Sequence, residues 1–107
     1  MTLLAAIEAA RAAGDPGPLL AAVPYARFLG LSAAALGDEL VTTMRYTPQL
    51  IGNPALPALH GGTLGALLES AAVFSLLWAA ESALLPKTIT ITVDYLRSAG
   101  PRDTFAC

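Results

Sequence analysis

The stretch His60-Gly61-Gly62-Thr63-Leu64-Gly65-Ala66-Leu67-Leu68-Glu69-Ser70-Ala71-Ala72-Val73-Phe74-Ser75-Leu76-Leu77-Trp78-Ala79-Ala80 decides the fold. From Thr63 to Ala80 it runs 18 residues with a single charge, Glu69. Such a run reads as a helix apolar on every side, which belongs at the centre of a domain rather than on its surface. At about 100° per residue, Gly62, Gly65, Ala66 and Val73 fall on the side of Glu69, and Leu64, Leu67, Phe74 and Trp78 fall opposite. The carboxylate therefore overlooks a track of nearly bare backbone, and the bulky side chains are kept to a face that packs on a sheet. At the start of the helix, the Gly61 and Gly62 amides have no intrahelical acceptor and carry partial positive charge. They can hold an oxyanion, and glycine lets a substrate approach closely. About eight residues, or ~12 Å of axial rise, separate Gly61 from Glu69. One subunit does not easily bring both to a single carbon, whereas the glycine of one subunit can face Glu69 of another.

The same run is long enough to cross a membrane. A carboxylate at mid-span costs roughly 2.5–3.5 kcal/mol on insertion scales, and no Lys or Arg cluster flanks the run to orient it. A buried helix of a soluble domain is the better reading. Leu3 to Ala13 is also apolar, but Glu8 and Arg11 interrupt it and no basic residue precedes it, unlike a signal peptide.

Working outward, Leu84-Leu85-Pro86 ends the helix. Lys87 to Arg97 alternates strictly: Ile89, Ile91, Val93 and Tyr95 point one way, and Thr88, Thr90, Thr92 and Asp94 the other. That is the pattern of a half-buried strand. Ser98 to Arg102 is a turn, and Asp103 to Cys107 reads as the start of a further strand. Upstream, Thr47 to Leu59 holds Pro48, Gly52, Asn53, Pro54 and Pro57, and reads as a loop of functional length. Asp38 to Tyr46 reads as a strand introduced by Gly37-Asp38. Pro24 to Leu31 forms a short helical turn with Gly30 near its end, and Asp15-Pro16-Gly17-Pro18 a turn or linker. Thr2 to Ala13 is an Ala-rich helix with Thr2 as N-cap and Gly14 as stop. The charges of Asp38, Glu39 and Glu81 read as solvated ends of elements. Two strands and the start of a third cannot wrap a helix that is apolar all round. Either the sequence is a piece of a longer chain or other chains supply the rest.

Composition sets the remaining bounds. The 107 residues make one domain. Hydrophobic residues make up 55% and charged residues 13%, against about 25% charged in an ordinary soluble domain. A subunit interface is the economical cover for the surplus apolar surface. The net charge is −2 and the six Lys and Arg residues are scattered, which excludes a nucleic-acid patch. One cysteine, Cys107, rules out a disulfide within the sequence and fits a cytoplasmic setting. One His and one Cys far apart make no zinc site, so no metal is expected.

The run Leu59-His60-Gly61-Gly62, followed by Ala66-Leu67-Leu68-Glu69-Ser70-Ala71-Ala72, resembles the signature of hotdog-fold acyl-CoA thioesterases of the phenylacetate-degradation type. In that family His-Gly-Gly opens the central helix and an Asp or Glu follows nine positions after the His, as Glu69 follows His60. Thr88 to Arg97, ending in Tyr95-Leu96-Arg97, resembles the family's next strand, and Pro24 to Gly30 its opening segment. The resemblance implies an α+β hotdog fold, an antiparallel sheet wrapped around a long central helix, here with an extra N-terminal helix. Residues 1–18 are then the N-terminal helix and linker, and 24–107 a hotdog core whose C-terminal strands are missing.

The resemblance further implies that Glu69 acts as nucleophile on a thioester carbonyl or as general base for water. It implies that the Gly61 amide stabilises the oxyanion, that Gly62 adjoins the substrate, and that His60 shapes the loop rather than acting as base. Asn53 stands seven positions before His60, where the family has an Asn or Gln about six before, so a one-residue bulge has to absorb the difference. Thr88 or Thr90 fills the place of an assisting polar residue, although a solvated strand face is the competing reading. Arg97 and Arg102 are placed either to touch the phosphates of CoA or simply on the surface. Hydrolysis of acyl-CoA needs no cofactor, because carboxylate, water and oxyanion donors suffice. The expected assembly is a homodimer or homotetramer with sites at the subunit interface, and neither nucleic acid nor membrane is an expected partner. The alternatives are a non-catalytic hotdog module that binds acyl-CoA, and a dehydratase acting on hydroxyacyl thioesters.

Overall fold

The computed structural model describes residues 2–80 and 84–107. Glu81 lies outside the described residues. The chain opens with α1 (Leu3–Ala13), which begins and ends where its sequence dictates. The Thr2 hydroxyl accepts from the Ala5 amide at 3.1 Å, and Gly14 adopts φ 64°, a left-handed conformation that glycine adopts freely. Ala6, Ile7 and Ala10 make the buried face of α1. The expected linker at 15–18 is instead the entrance to a second short helix, α2 (Gly17–Ala21). A proline in a first turn forfeits no helical hydrogen bond, and the Asp15 carboxylate accepts from the Gly17 amide at 2.9 Å. A third helix, α3 (Pro24–Phe28), closes on Gly30, which is left-handed at φ 68°.

Strands β1 (Leu31–Leu36) and β2 (Glu39–Met44) form an antiparallel hairpin, with Leu31 opposite Met44 and Leu36 opposite Glu39. Gly37 and Asp38 are its two-residue turn, with Gly37 at φ 62°. β1 departs from the sequence reading, which placed no strand there. Its Ser-Ala-Ala-Ala centre has no β-branched or aromatic residue, and it pairs because β2 offers an edge. The other edge of β2 takes β5 (Thr104–Ala106), giving the order β1-β2-β5. β2 turns Leu40, Thr42 and Met44 inward.

The stretch 47–59 is also more structured than a loop. Pro48–Leu50 form one 3₁₀ turn, and β3 (Ile51–Asn53) pairs antiparallel with β4 (Ala58–Leu59). The breakers Pro54 and Pro57 fall in the connection between these two strands, where they disturb no ladder.

The central helix is α4 (Gly61–Ala79). It ends before Leu84-Leu85-Pro86, which lie beyond it. Its Leu67, Ala71, Phe74 and Leu77 are buried. The C-terminal half meets Ile7, Leu19, Leu20 and Leu40; the N-terminal half meets Leu29, Met44, Leu59 and Ala106. The extra N-terminal helix thus caps one end of the core, and the Arg11 guanidinium donates to the Leu77 carbonyl at 2.7 Å. In length and composition α4 could cross a membrane, yet its bulky face packs on the sheet, as the helical wheel requires. It is not, however, covered all round: Leu68 is 44% and Leu76 57% exposed. Three strands cover one face of a helix, and the face that carries Glu69 stays open.

A second departure is the stretch 87–97, which is not a strand among the described residues. Alternation reports which faces are wet and dry; a strand also needs a neighbour to bond. Both edges of β2 are taken by β1 and β5. Ile89, on the face expected to be dry, is 98% exposed, whereas Val93 on the same face is half-buried.

Candidate active site

The site is built around the first turn of α4. Leu59 donates its amide to the Ala99 carbonyl at 2.9 Å, and His60 donates its amide to the Leu50 carbonyl at 2.8 Å. These two bonds fix how the chain enters the helix. His60 is the N-cap: its Nδ1 accepts from the Gly62 amide at 2.8 Å, while its carbonyl receives the Thr63 amide at 3.0 Å and the Thr63 hydroxyl at 2.6 Å. The imidazole therefore shapes the turn, as expected, and its Nδ1 is occupied in doing so.

Two glycines make room for this imidazole. A Cβ on Gly62 would stand 2.9 Å from His60 Nδ1. A Cβ on Gly52 would stand 2.7 Å from His60 Cα and 2.9 Å from its Cβ, closer than side chains come. The sequence reading passed over Gly52 as one breaker among several; a glycine inside a strand is the signal that another backbone comes close.

The two glycine amides now separate in function. That of Gly62 is spent on His60. That of Gly61 has no acceptor among the described residues and is available to an incoming oxygen. Its surroundings form a cleft of about 350 Å³ walled by Leu59, Leu64, Tyr95 and Ala99. Loss of the cap has a measurable consequence. His60→Ala should cost about 1 kcal/mol and lower the melting midpoint by about 4–8 °C. His60→Asn, which can cap through its side-chain oxygen, should recover most of this. An alanine variant as stable as the parent in a calorimetric scan would show that the cap contributes nothing.

Glu69 lies two turns further along, exposed, on a separate groove of about 490 Å³. Ser70, Val73, Lys87 and Thr88 line the same groove, and Leu3 and Val23 close one side of it. Glu69 makes no ion pair or hydrogen bond among the described residues, so its carboxylate is free to act. Lys87 was not visible as a neighbour from sequence, because the chain brings it back only after leaving the helix. Glu69 and Thr88 are thus brought together, while Glu69 and Gly61 are not.

Asn53 stands on β3, where the register shifts between Ile51 and Asn53. Its Oδ1 accepts from the Ala55 amide at 3.0 Å, and the side chain is engaged in that turn. Thr90 is exposed. Arg97 and Arg102 both border an open groove of about 550 Å³, beside Ser98 and Asp103. No group of three metal-ligating side chains exists among the described residues.

The architecture has a counterpart among solved structures. A protein described as belonging to the thioesterase superfamily superposes with a TM-score of 0.72 at 27% sequence identity, over 94% of this chain and 71% of that one. The α+β arrangement of an antiparallel sheet packed on a long helix is accordingly the hotdog fold. No family model matches the sequence, and no curated protein matches it.

Proposed function

We propose that this chain hydrolyses acyl-CoA thioesters to free acid and CoA, in the manner of the phenylacetate-degradation thioesterases its motif resembles. The observation that carries the reading is the solvent-open carboxylate of Glu69, unpaired among the described residues, nine residues after a histidine-capped helix start, in a fold shared with a thioesterase-superfamily protein. Glu69 acts in one of two ways. As general base it takes a proton from water, whose oxygen attacks the carbonyl carbon; as nucleophile it attacks that carbon itself and water then releases the acid. In both, the C–S bond breaks and the sulfur leaves as CoA thiol after taking up a proton. The Gly61 amide holds the carbonyl oxygen as it gains charge, the kind of preorganised donor that contributes most to acyl transfer.

Gly61 and Glu69 on one helix are too far apart to serve one carbon, at ~12 Å of axial rise. The working site therefore pairs Gly61 of one copy with Glu69 of another, in a homodimer or homotetramer. The apolar surface left open around Leu68 and Leu76 supports such an assembly. Thr88 adjoins the reacting water from the Glu69 groove, and Arg97 and Arg102 offer charge to the phosphates of CoA in a cytoplasmic enzyme. The test is thiol release from a panel of aryl-CoA and aliphatic acyl-CoA thioesters, with molecular mass followed by light scattering. Turnover by a dimer or larger assembly is expected. Binding of CoA esters with no thiol released would replace the enzyme by a non-catalytic acyl-CoA module.

A further inference from the structure

Gly61 and Gly65 leave one face of the first turn of α4 without side chains. The sequence reading kept this face clear for a ligand, but an aromatic ring lies against part of it. A Cβ on Gly61 would stand 3.2 Å from Cε1 of Tyr95, and one on Gly65 would stand 3.5 Å from its Oη. The phenol donates to the Gly61 carbonyl at 2.8 Å. Gly61 has a helical backbone and needs no glycine for its conformation. A side chain there would press on the ring. Tyr95 and Gly61 also line one cleft together.

We infer that Tyr95 is a positioning residue for the thioesterase reaction: it clamps the Gly61 peptide from the segment 87–97 and so fixes the amide that receives the oxyanion. This rests on the proposed hydrolysis. The argument is geometric. The N-terminal turn of α4 is held on one side by the His60 cap, which engages Gly62. Gly61 itself has no side chain through which to be held. The phenol adds a second hold, at the carbonyl of the same Gly61–Gly62 peptide unit that the His60 cap engages, and together they anchor the Cα of Gly61 to which the working amide is bonded. A donor must sit within a few tenths of an ångström of where the oxyanion forms, so freedom at Gly61 is lost from the transition state and not from ground-state binding.

The test compares Tyr95→Phe, which keeps the ring and removes the hydroxyl, with the parent on the acyl-CoA it hydrolyses fastest. The expected result is a fall in kcat of roughly 3- to 10-fold, the scale of one neutral hydrogen bond, with KM unchanged. In a ¹⁵N spectrum the Gly61 amide signal should shift while those of β1 and β2 stay. A parent-like kcat, or a change in KM alone, overturns the inference while leaving hydrolysis intact. Signals that move throughout the chain also overturn it, because Tyr95 would then be structural. A parent that releases no thiol removes the reaction itself, and the inference with it.

Discussion

Replacing Glu69 with Gln should lower thiol release by roughly 10² or more, the scale of a lost general base, with little change in stability. Glutamine has nearly the same size and keeps one oxygen that accepts a hydrogen bond, but it neither takes a proton at neutral pH nor attacks a carbonyl. Glu69 is exposed and has no partner among the described residues, so its removal leaves no unpaired buried charge behind. Stability and activity should therefore part company. Steady-state kinetics on the panel, beside a thermal scan of the same preparation, separates them. A Gln variant that turns over like the parent would move the chemistry elsewhere in the groove, whose other polar lining residues are Ser70, Lys87 and Thr88. Because the carboxylate and the Gly61 amide belong to different copies in the proposed site, each site of a mixed assembly fails according to which copy supplies Glu69.

The second large effect is one of packing. Gly52→Ala should destabilise the protein by about 1–3 kcal/mol, the cost of overfilling a close-packed contact. The added methyl would meet His60 Cα, which belongs to the backbone and cannot swing away. The strand β3 or the entrance to α4 must move instead. His60 is tied to the Leu50 carbonyl through its amide, so the displacement reaches the cap and the helix start. Equilibrium denaturation measures the loss, and thiol release should fall with it. An alanine variant with an unchanged midpoint would show that β3 and His60 have room between them after all.

Much of this arrangement was legible in the chain because it depends on local chemistry. The Thr2 cap, the Gly14 and Gly30 stops, the Gly37-Asp38 turn and the start of α4 each follow from residues within a few positions of one another. The packing face of α4 was legible from its helical period. What was hidden depends on partners distant in sequence. β1 has an undistinguished Ala-rich sequence and is a strand because β2 lies beside it. Conversely, 87–97 has the strongest strand pattern in the chain and no ladder, since a pattern names its dry face but not its neighbour. Glu69 could be singled out as the lone charge of an apolar helix, whereas the histidine cap could not, since only the resemblance suggested that His60 shapes the loop. Lys87 on the Glu69 groove and Tyr95 over Gly61 are returns of the chain upon itself that no local rule predicts, and Gly52 against His60 signals only that some backbone comes close.

The imidazole of His60 lies between two absent side chains. Its Nδ1 edge meets Gly62, and its Cδ2 and backbone meet Gly52. The side chain allowed at each of the three positions depends on the other two. A larger residue at 52 or 62 presses on His60, and a residue at 60 with no side-chain acceptor forfeits the cap that the two glycines accommodate. In terms of descent, they behave as a single character spread over a strand and a helix start. A lineage that enlarges 52 or 62 without a compensating change at 60 would pass through a less stable protein. A helix start secured in this way would be conserved because its exits are closed, whatever the demands of the reaction it serves.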